Sequence, residues 1–357
     1  MARTERVKSM SATYNAASGT GVSTPSTWRG LAMGRSGSDL VIASLLGLAG
    51  LATLLFGEAY WLLGAQVAIT MIFALSVDLL VGFAGIVTLG HAVFFGLGAY
   101  TVGIASVHLG WTEPLSGLLL AGAVAGLLGL GTGVLVLRTK GLGQLMLTMA
   151  FASLVYEIAN RAKPVTGGAD GLQGVIVAPI FGLFDFDIFG LTAFLYTLAV
   201  LGIVVLFAVL MTRSPYGRSL VGIRENRVRM QAIGTNVQQR LLSIYVVSAA
   251  LAGVAGALLA QTSQFVGLNA LHFGLSGEVL IIVALGGAGR LWGALLGAVV
   301  FSLFKDRLSA LDPAYWYFWL GLLLAVIVLF APKGLIGLVD RLMAALHPTL
   351  HPKETVQ

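Results

Sequence analysis

The amino-acid sequence predicts an all-α polytopic membrane protein with about ten transmembrane or re-entrant helices. Of its 357 residues, 57% are hydrophobic and only 10% are charged, whereas soluble domains carry about 25% charged residues. The mean hydropathy is +0.93. The sequence contains no cysteine, which excludes disulfides and thiolate-bound metals.

Apolar stretches of the right length define the candidate spans. A bilayer core about 30 Å thick needs roughly 20 apolar residues per helix. The ten candidates are residues 39–57, 60–80, 88–108, 115–137, 142–159, 189–211, 241–261, 274–288, 291–304 and 315–331. The eighth and ninth are short and meet at a Gly-Gly-Ala-Gly-Arg turn. They are therefore either two spans or one broken or re-entrant pair.

Basic residues predict the orientation of these spans. With ten spans and a cytoplasmic N-terminus, all but four of the 21 Lys and Arg residues fall on the inside. This asymmetry orients membrane proteins and predicts that both termini are cytoplasmic. The basic residues form no face interleaved with aromatic residues, so they do not indicate nucleic-acid binding. The residues predicted to lie outside are Arg161, Lys163, Lys305 and Arg307.

The chain divides into one membrane domain and two tails. Residues 1–38 are rich in Ser, Thr, Gly and Ala and contain no apolar core, which predicts a disordered cytoplasmic tail. Residues 39–345 form the predicted transmembrane permease domain, surrounded by membrane lipid. Residues 346–357 form a second cytoplasmic tail.

One arginine-rich block interrupts the apolar chain. Residues 212–240 carry six arginines against Glu225 as the single acid, and central arginines are too costly to insert into a bilayer. The block is therefore predicted to lie at the cytoplasmic surface. Its apolar residues are distributed around a helical wheel, which predicts a short helix with mixed faces that ends near Gly234 and lies between the membrane domain and another protein. A solvated loop is the alternative.

Motifs for chemistry are missing. The sequence has no G-x-x-x-x-G-K-[ST] phosphate loop, no H-E-x-x-H and no G-x-S-x-G, so no ATPase, zinc or serine-hydrolase site is predicted. No carboxylate lies at the middle of a predicted span, because Asp78, Glu157 and Glu278 all fall near span ends. The chain is thus predicted not to be an enzyme, to need no cofactor or metal, and to take any energy for transport from a partner.

Two glycine-rich segments are candidates for a solute path. Residues 81–103 carry six glycines, and a second break follows at 285–297. Dense glycine permits close helix packing, and it also permits an unwound backbone that lines a cavity. Both interpretations stay open. The candidate path residues are Gly85, Thr88, Gly90, His91, Glu278, Gly286 and Gly287.

Four ordered motifs resemble one transporter family. They are GFAGIVTLGHAVFFGLGAYT, TGGADGL, SPYGRSLVGIRENRVRMQAIGTNV and SGEVLIIVALGGAGRLWGALLGA. In order and spacing they resemble the M-type (LivM-like) permease subunit of branched-chain amino acid ABC importers, over residues 60–340. The resemblance implies a type I ABC importer-like permease in a bacterial inner membrane. By the same resemblance, the expected function is import of branched-chain amino acids or related small polar or amphipathic solutes.

The resemblance also implies partners and a coupling segment. The partners are a homologous H-type permease subunit, two cytoplasmic ATPase subunits and a periplasmic substrate-binding protein. The arginine-rich block resembles the loop that contacts the ATPases. Its motif positions are Gly217, Arg218, Ile223, Arg224, Glu225, Ala232, Gly234 and Asn236.

The chain departs from the family pattern at a few positions. Family members often carry Gln where Ile86 stands, an acid where Arg227 stands, and Thr and Pro near Arg290 and Ala294. Related permeases serve urea, amides and aromatic acids, so the ligand stays open. A passive channel or facilitator is the alternative from a different class.

Overall fold

The computed structural model describes residues 60–179, 190–313 and 334–346, together with short pieces within 41–54, residue 184 and pieces within 315–322. The predicted first tail, residues 1–38, lies outside the described residues, and so does the second, 346–357, except for Leu346, which ends a helix. Most of the predicted first span, 39–57, and most of the predicted tenth span, 315–331, also lie outside the described residues.

Helices make up almost all of the described chain. They are α1 (Trp61–Asp78), α2 (His91–Leu109), α3 (Pro114–Val136), α4 (Leu142–Arg161), α5 (Leu191–Arg213), α6 (Pro215–Glu225), α7 (Arg227–Ala232), α8 (Val237–Ser263), α9 (Phe273–Gly286), α10 (Leu291–Leu311) and α11 (Gly334–Leu346). A π-helical segment, Leu79–Ala84, continues α1. Single turns of helix occupy Lys163–Thr166, Gly168–Asp170 and Leu268–Leu271. No β-strand occurs in these segments, and an isolated bridge pairs Leu172 with Val266.

The long helices confirm a polytopic membrane protein. Six helices in the described chain are long and apolar enough to cross a bilayer: α1 with its π segment, α2, α3, α4, α5 and α8. Helices α9 and α10 pass the same test together, but they are bent by 116° at the turn between them. The eighth and ninth predicted segments are therefore a sharply bent helical pair.

Helix α10 extends beyond one predicted span. The sequence predicts that the ninth span ends at residue 304, with Lys305 and Arg307 outside it. Helix α10 continues to Leu311, and within it the Lys305 ammonium donates to Glu278 of α9 at 2.9 Å. The helix can run past the predicted end of the span, because a charged side chain limits the span but lysine favours helix.

Helices α1 and α8 form the centre of the domain. Most of their apolar residues are buried inside the protein, whereas α4 is largely exposed. Helix α8 packs against α1, α2 and α3. Since no aqueous hydrophobic effect joins helices within lipid, close van der Waals packing has to hold this centre together.

Glycine allows that packing where α2 crosses α8. A methyl group built on Gly256 would lie 1.8 Å from the carbonyl O of Phe95, and one on Gly98 would lie 2.0 Å from the carbonyl O of Gly253. A methyl group on Gly253 would in turn lie 2.4 Å from Cβ of Ala125 and 2.8 Å from the carbonyl O of Ala121, both in α3. Three helix backbones therefore approach at one place, as small residues allow in membrane bundles.

We predict that Gly256→Ala lowers the stability of the protein, because a single methyl group would push α2 and α8 apart. Overpacking costs about 1–3 kcal/mol, so the melting temperature in detergent should fall by at least about 3 °C. The control is Gly131→Ala in α3, where an added methyl group meets nothing within 4 Å. Equal melting temperatures for the two variants would show that this crossing is not tightly packed.

Candidate functional site

Helix α6 starts immediately after the long helix α5 ends at Arg213. Ser214 caps α6, and its hydroxyl accepts from the backbone N–H of Gly217 at 3.4 Å. Pro215 occupies the first turn, where its missing N–H costs nothing. Gly217 is required beside α5, because a methyl group there would lie 2.2 Å from the carbonyl O of Thr212. These features turn the chain sharply from a spanning helix into a surface helix.

The prediction of one mixed-faced helix up to Gly234 is wrong. The helix breaks at Asn226, whose extended backbone (φ −154°, ψ 99°) ends α6 and whose side chain caps α7 by accepting from the N–H of Arg229 at 2.9 Å. Within α6 the buried residues Gly217, Leu220 and Ile223 lie three positions apart. Since residues at i and i+3 share a helix face, α6 has one face packed on the membrane domain.

Arg224 connects α6 to both glycine-rich segments. Its guanidinium donates to the backbone carbonyl O of Gly82, in the π segment after α1. The same guanidinium lies against Gly289, and its aliphatic stem lies against Gly85. A methyl group on Gly289 would lie 2.9 Å from the Arg224 nitrogen. Glycine at these positions therefore makes room for the arginine side chain.

Asp78 completes the contact between the two glycine-rich segments. It is fully buried, and its Oδ1 accepts from the backbone N–H of Gly289 at 2.7 Å. Among the described residues its Oδ2 has no hydrogen-bond partner. A methyl group on Gly82 would lie 2.2 Å from both Asp78 Oδ1 and Gly289 N. We call Asp78, Gly82, Arg224 and Gly289 the junction.

Sequence reasoning missed the role of Asp78. Its position near a span end predicted an ordinary interfacial residue, but the structure buries it between three elements. One signal was present: Gly82 follows Asp78 by four residues, and therefore lies on the same helix face.

Of the other predicted coupling residues, four are exposed on or next to α6 and α7, and Asn236 caps the next helix. Arg218, Glu225, Ala232 and Gly234 are exposed. Gly234 has a φ of +86°, a conformation that favours glycine at a helix end. Asn236 caps α8 by accepting from the N–H of Gln239 at 3.2 Å. These positions leave an exposed surface on α6 and α7 that also includes the apolar side chains of Val228 and Ile233.

Tyr216 is a second link that sequence reasoning missed. Its hydroxyl lies 2.6 Å from Ser243 Oγ of α8, and the Arg240 guanidinium lies 5.0 Å from the centre of its ring. Burial raises the pKa of Tyr216 above its usual range, although the nearby Ser243 and Arg240 lower it. The neutral phenol is therefore retained at physiological pH, and it ties α6 to the central helix.

Three of the predicted path residues lie in the protein core. His91 is buried, with its Nε2 3.1 Å from Ser76 Oγ and 3.2 Å from Ser248 Oγ. Its ring stacks on Phe73 at 5.9 Å. Thr88 and Gly90 are also buried, and Thr88 Oγ1 accepts from the N–H of Gly90 at 3.1 Å. In the single subunit these residues join helices.

The remaining four path candidates lie away from this part of the core. Gly85 is next to Arg224, while Gly287 (φ +110°) lies in the α9–α10 turn. Gly286 packs against the backbone of Gly293, because a methyl group on it would lie 1.9 Å from that carbonyl O. Glu278 is farther along α9 and pairs with Lys305. The seven candidates therefore do not form one continuous lining, and their role in a solute path stays a prediction.

Comparison with known proteins identifies the family. A sequence model matches residues 61–330, and the family that it represents is described as "branched-chain amino acid transport system / permease component". The chain belongs to this family. The matched range includes the junction, the surface helices α6 and α7, and the α9–α10 pair. The chain is therefore a permease component of the ABC transporter class.

Individual relatives differ in what they transport. The high-affinity branched-chain amino acid transport system permease protein LivM of Escherichia coli (strain K12) is 29% identical over 75% of this chain and 68% of the relative. LivM of Salmonella typhimurium is 30% identical over the same shares. The fructose import permease protein FrcC of Rhizobium meliloti is 28% identical over 74% of each chain. No solved structure matches this chain significantly.

We predict that Arg224→Ala loosens the junction without unfolding the protein. Hydrogen bonds from charged donors contribute about 1.5–3 kcal/mol, so backbone amides of 79–85, 215–225 and 287–290 should exchange hydrogen about tenfold faster or more. Mass spectrometry of the full chain in nanodiscs measures this exchange.

Arg229→Ala is the matched control, since Arg229 is exposed and the described residues include no hydrogen-bond partner for its side chain. Equal exchange at 79–85 and 287–290 in the two variants would show that Arg224 does not hold these segments.

Proposed function

We propose that this chain is a translocation subunit of an ATP-driven importer of branched-chain amino acids in a bacterial inner membrane, with both termini in the cytoplasm. The observation that carries the proposal is the junction. A helix outside the spans contacts the end of α1 and the α9–α10 turn through one side chain, Arg224. A force applied to α6 is thereby passed to helices that cross the membrane domain.

The proposed partners supply that force and the solute. Two cytoplasmic ATPases energise the pair of permeases, since the chain itself carries no phosphate loop, and one of them binds the exposed surface of α6 and α7. A homologous H-type permease forms the other half of the path, and a periplasmic binding protein delivers the ligand. The positive residues of the surface, which include Arg218, Arg227 and Arg229, suit an ATPase surface with acidic residues.

The coupling step follows from the way α6 is held. Its buried face packs on the membrane domain through Leu220 and Ile223, while Tyr216 joins it to α8. When the ATPases close, α6 moves with them. Arg224 then moves the π segment and the α9–α10 turn together, because it contacts both. The helices attached to these two segments change their packing, and the path opens to the other side.

The substrate assignment rests on the relatives with LivM names, which support branched-chain amino acids. The sugar permease relatives make sugars the competing substrate class.

We predict that vesicles containing the complete assembly take up labelled leucine when the ATPases face the vesicle interior and ATP is enclosed there. Vesicles that contain this chain alone should take up none, because no energy source acts on α6. Labelled fructose and ribose, each offered with the same assembly, serve as controls for the substrate class.

Each failure has a distinct meaning. Uptake of leucine down its gradient by this chain alone would favour a passive facilitator. ATP-driven uptake of a sugar but not of leucine would keep the importer and change the substrate class.

We predict that Glu225→Lys and Gly234→Val uncouple ATP hydrolysis from uptake. The lysine adds a positive charge to a surface that already carries several, which weakens binding to an acidic partner. The valine strains a position with φ +86°, where β-branched residues are disfavoured. Both variants should insert normally but lose most leucine uptake, together with most of the ATPase activity stimulated by loaded binding protein.

The control is Glu113→Lys, a charge reversal at an exposed residue that precedes α3. Wild-type uptake by both Glu225→Lys and Gly234→Val would show that the surface of α6 and α7 is a solvated loop with no coupling role.

A further inference from the structure

A small cavity lies between α1, α9 and α10. Its volume is about 290 Å³, near the lower end of the roughly 300–1,000 Å³ typical of small-molecule sites. Its polar lining comes from all three helices: Gln66, Thr70, Glu278, Ser302, Lys305, Asp306 and Ser309. A cavity of this size suits a small solute.

The cavity has an ion pair in its wall. Lys305 Nζ donates to Glu278 Oε2 at 2.9 Å, and the side chains are 41% and 20% exposed. The two residues lie within helices that belong to the membrane domain. Ionisable residues that face the interior of a membrane domain often mark solute or ion pathways. A pair that lines a cavity therefore points to a function beyond joining α9 to α10.

The rest of the lining is apolar. Phe73 of α1, Phe95 of α2, Val279 and Ile282 of α9 and Phe301 of α10 border the same cavity. The site therefore has a charged part, formed by the opposite charges on one wall, and an apolar part, formed by aliphatic and aromatic side chains nearby. A free amino acid with an aliphatic side chain has the same two parts.

The cavity is separated from the junction along the same helices. On α1 its residues run from Leu63 to Phe73, whereas Arg224 contacts Gly82 beyond the other end of this helix. On α9, Glu278 precedes the turn at Gly287 by nine residues, which is about 13 Å of helix. The cavity therefore lies toward the ends of α1 and α9 that are remote from α6.

We propose that this cavity binds the zwitterionic head and the side chain of an aliphatic amino acid during translocation. Lys305 contacts the carboxylate, Glu278 and Asp306 contact the ammonium group, and the apolar lining contacts the side chain. The inference rests on the proposed function and adds the place and chemistry of recognition. A sugar has no pair of opposite charges to match Glu278 and Lys305, which favours the amino acid.

The test is a charge swap, Glu278→Lys with Lys305→Glu, in the complete assembly in vesicles. The swap preserves an ion pair between α9 and α10, so it separates recognition from helix joining. We expect ATP-driven leucine uptake to fall at least tenfold, while assembly and basal ATP hydrolysis stay within about twofold of wild type. The conservative variant Lys305→Arg should keep at least half of the uptake.

The matched control is the swap Glu157→Lys with Arg161→Glu. This pair is also close, at 2.6 Å, but it lies on the exposed surface of α4, so the swap should leave uptake unchanged. The neutral pair Glu278→Gln with Lys305→Met is a second variant in case the first swap does not assemble, and its uptake should also fall at least tenfold.

Two results would overturn the inference. Wild-type leucine uptake by the charge swap, or by the neutral pair, would show that the two residues only join helices, while the proposed function stands. If the wild-type assembly imports sugars and no amino acid, the proposed substrate fails and the inference fails with it.

Discussion

The arrangement of this permease depends on one side chain that reaches between two helix breaks. The Arg224 guanidinium lies between the carbonyl O of Gly82 and the backbone of Gly289. A planar guanidinium carries several donors in fixed directions, whereas an ammonium is a compact charge on a flexible stem. The contact needs glycine on both sides, since a methyl group on Gly289 would lie 2.9 Å from the Arg224 nitrogen and one on Gly82 would lie 2.2 Å from Gly289 N. It also needs Asp78, whose carboxylate fixes Gly289 from the opposite side.

The bilayer explains why backbone groups at the first break have partners within the protein. In hydrocarbon each backbone N–H and C=O must find a partner, so irregular backbone is tolerated only where protein or a water-filled cavity surrounds it. After α1 the chain passes through a π segment that ends at Gly85, whose φ is +68°. The N–H of Ile86 donates to the carbonyl O of Leu80 at 2.9 Å, and the carbonyl O of Gly82 accepts from Arg224. These two backbone groups of the break are thus bound within the chain.

The sequence predicts the local features of this fold well and its long-range contacts poorly. Apolar length places the boundaries of α2 to α5 within about three residues, because a bilayer imposes a simple requirement on each helix. A helix end at Gly234 and a surface position for the arginine block also follow from local chemistry. The break at Asn226 was missed because a mixed apolar pattern does not reveal which residues pack on another element.

The junction itself could not be predicted from local pattern. Arg224 and Gly82 are 142 residues apart, and Asp78 and Gly289 are 211 apart. Such pairings depend on how α1, α6 and the α9–α10 turn are placed, which periodicity does not encode. The pairing of Lys305 with Glu278 is similar, since the two residues lie on different helices.

The α9–α10 pair is the element that joins the two functional regions proposed for this chain. Its helices pack backbone to backbone, because Gly286 meets Gly293 and Gly297 meets the carbonyl O of Ile282. Interfaces this close move as a unit. At its turn, Gly289 contacts Arg224 and Asp78, while Arg290 pairs with Asp340 of α11. Farther along, Glu278 on α9 and Lys305 on α10 form one wall of the cavity. In the proposed mechanism, displacement of α6 therefore tilts the whole pair and moves this wall relative to Gln66 and Thr70 of α1, so that the proposed coupling surface and the proposed solute cavity change together.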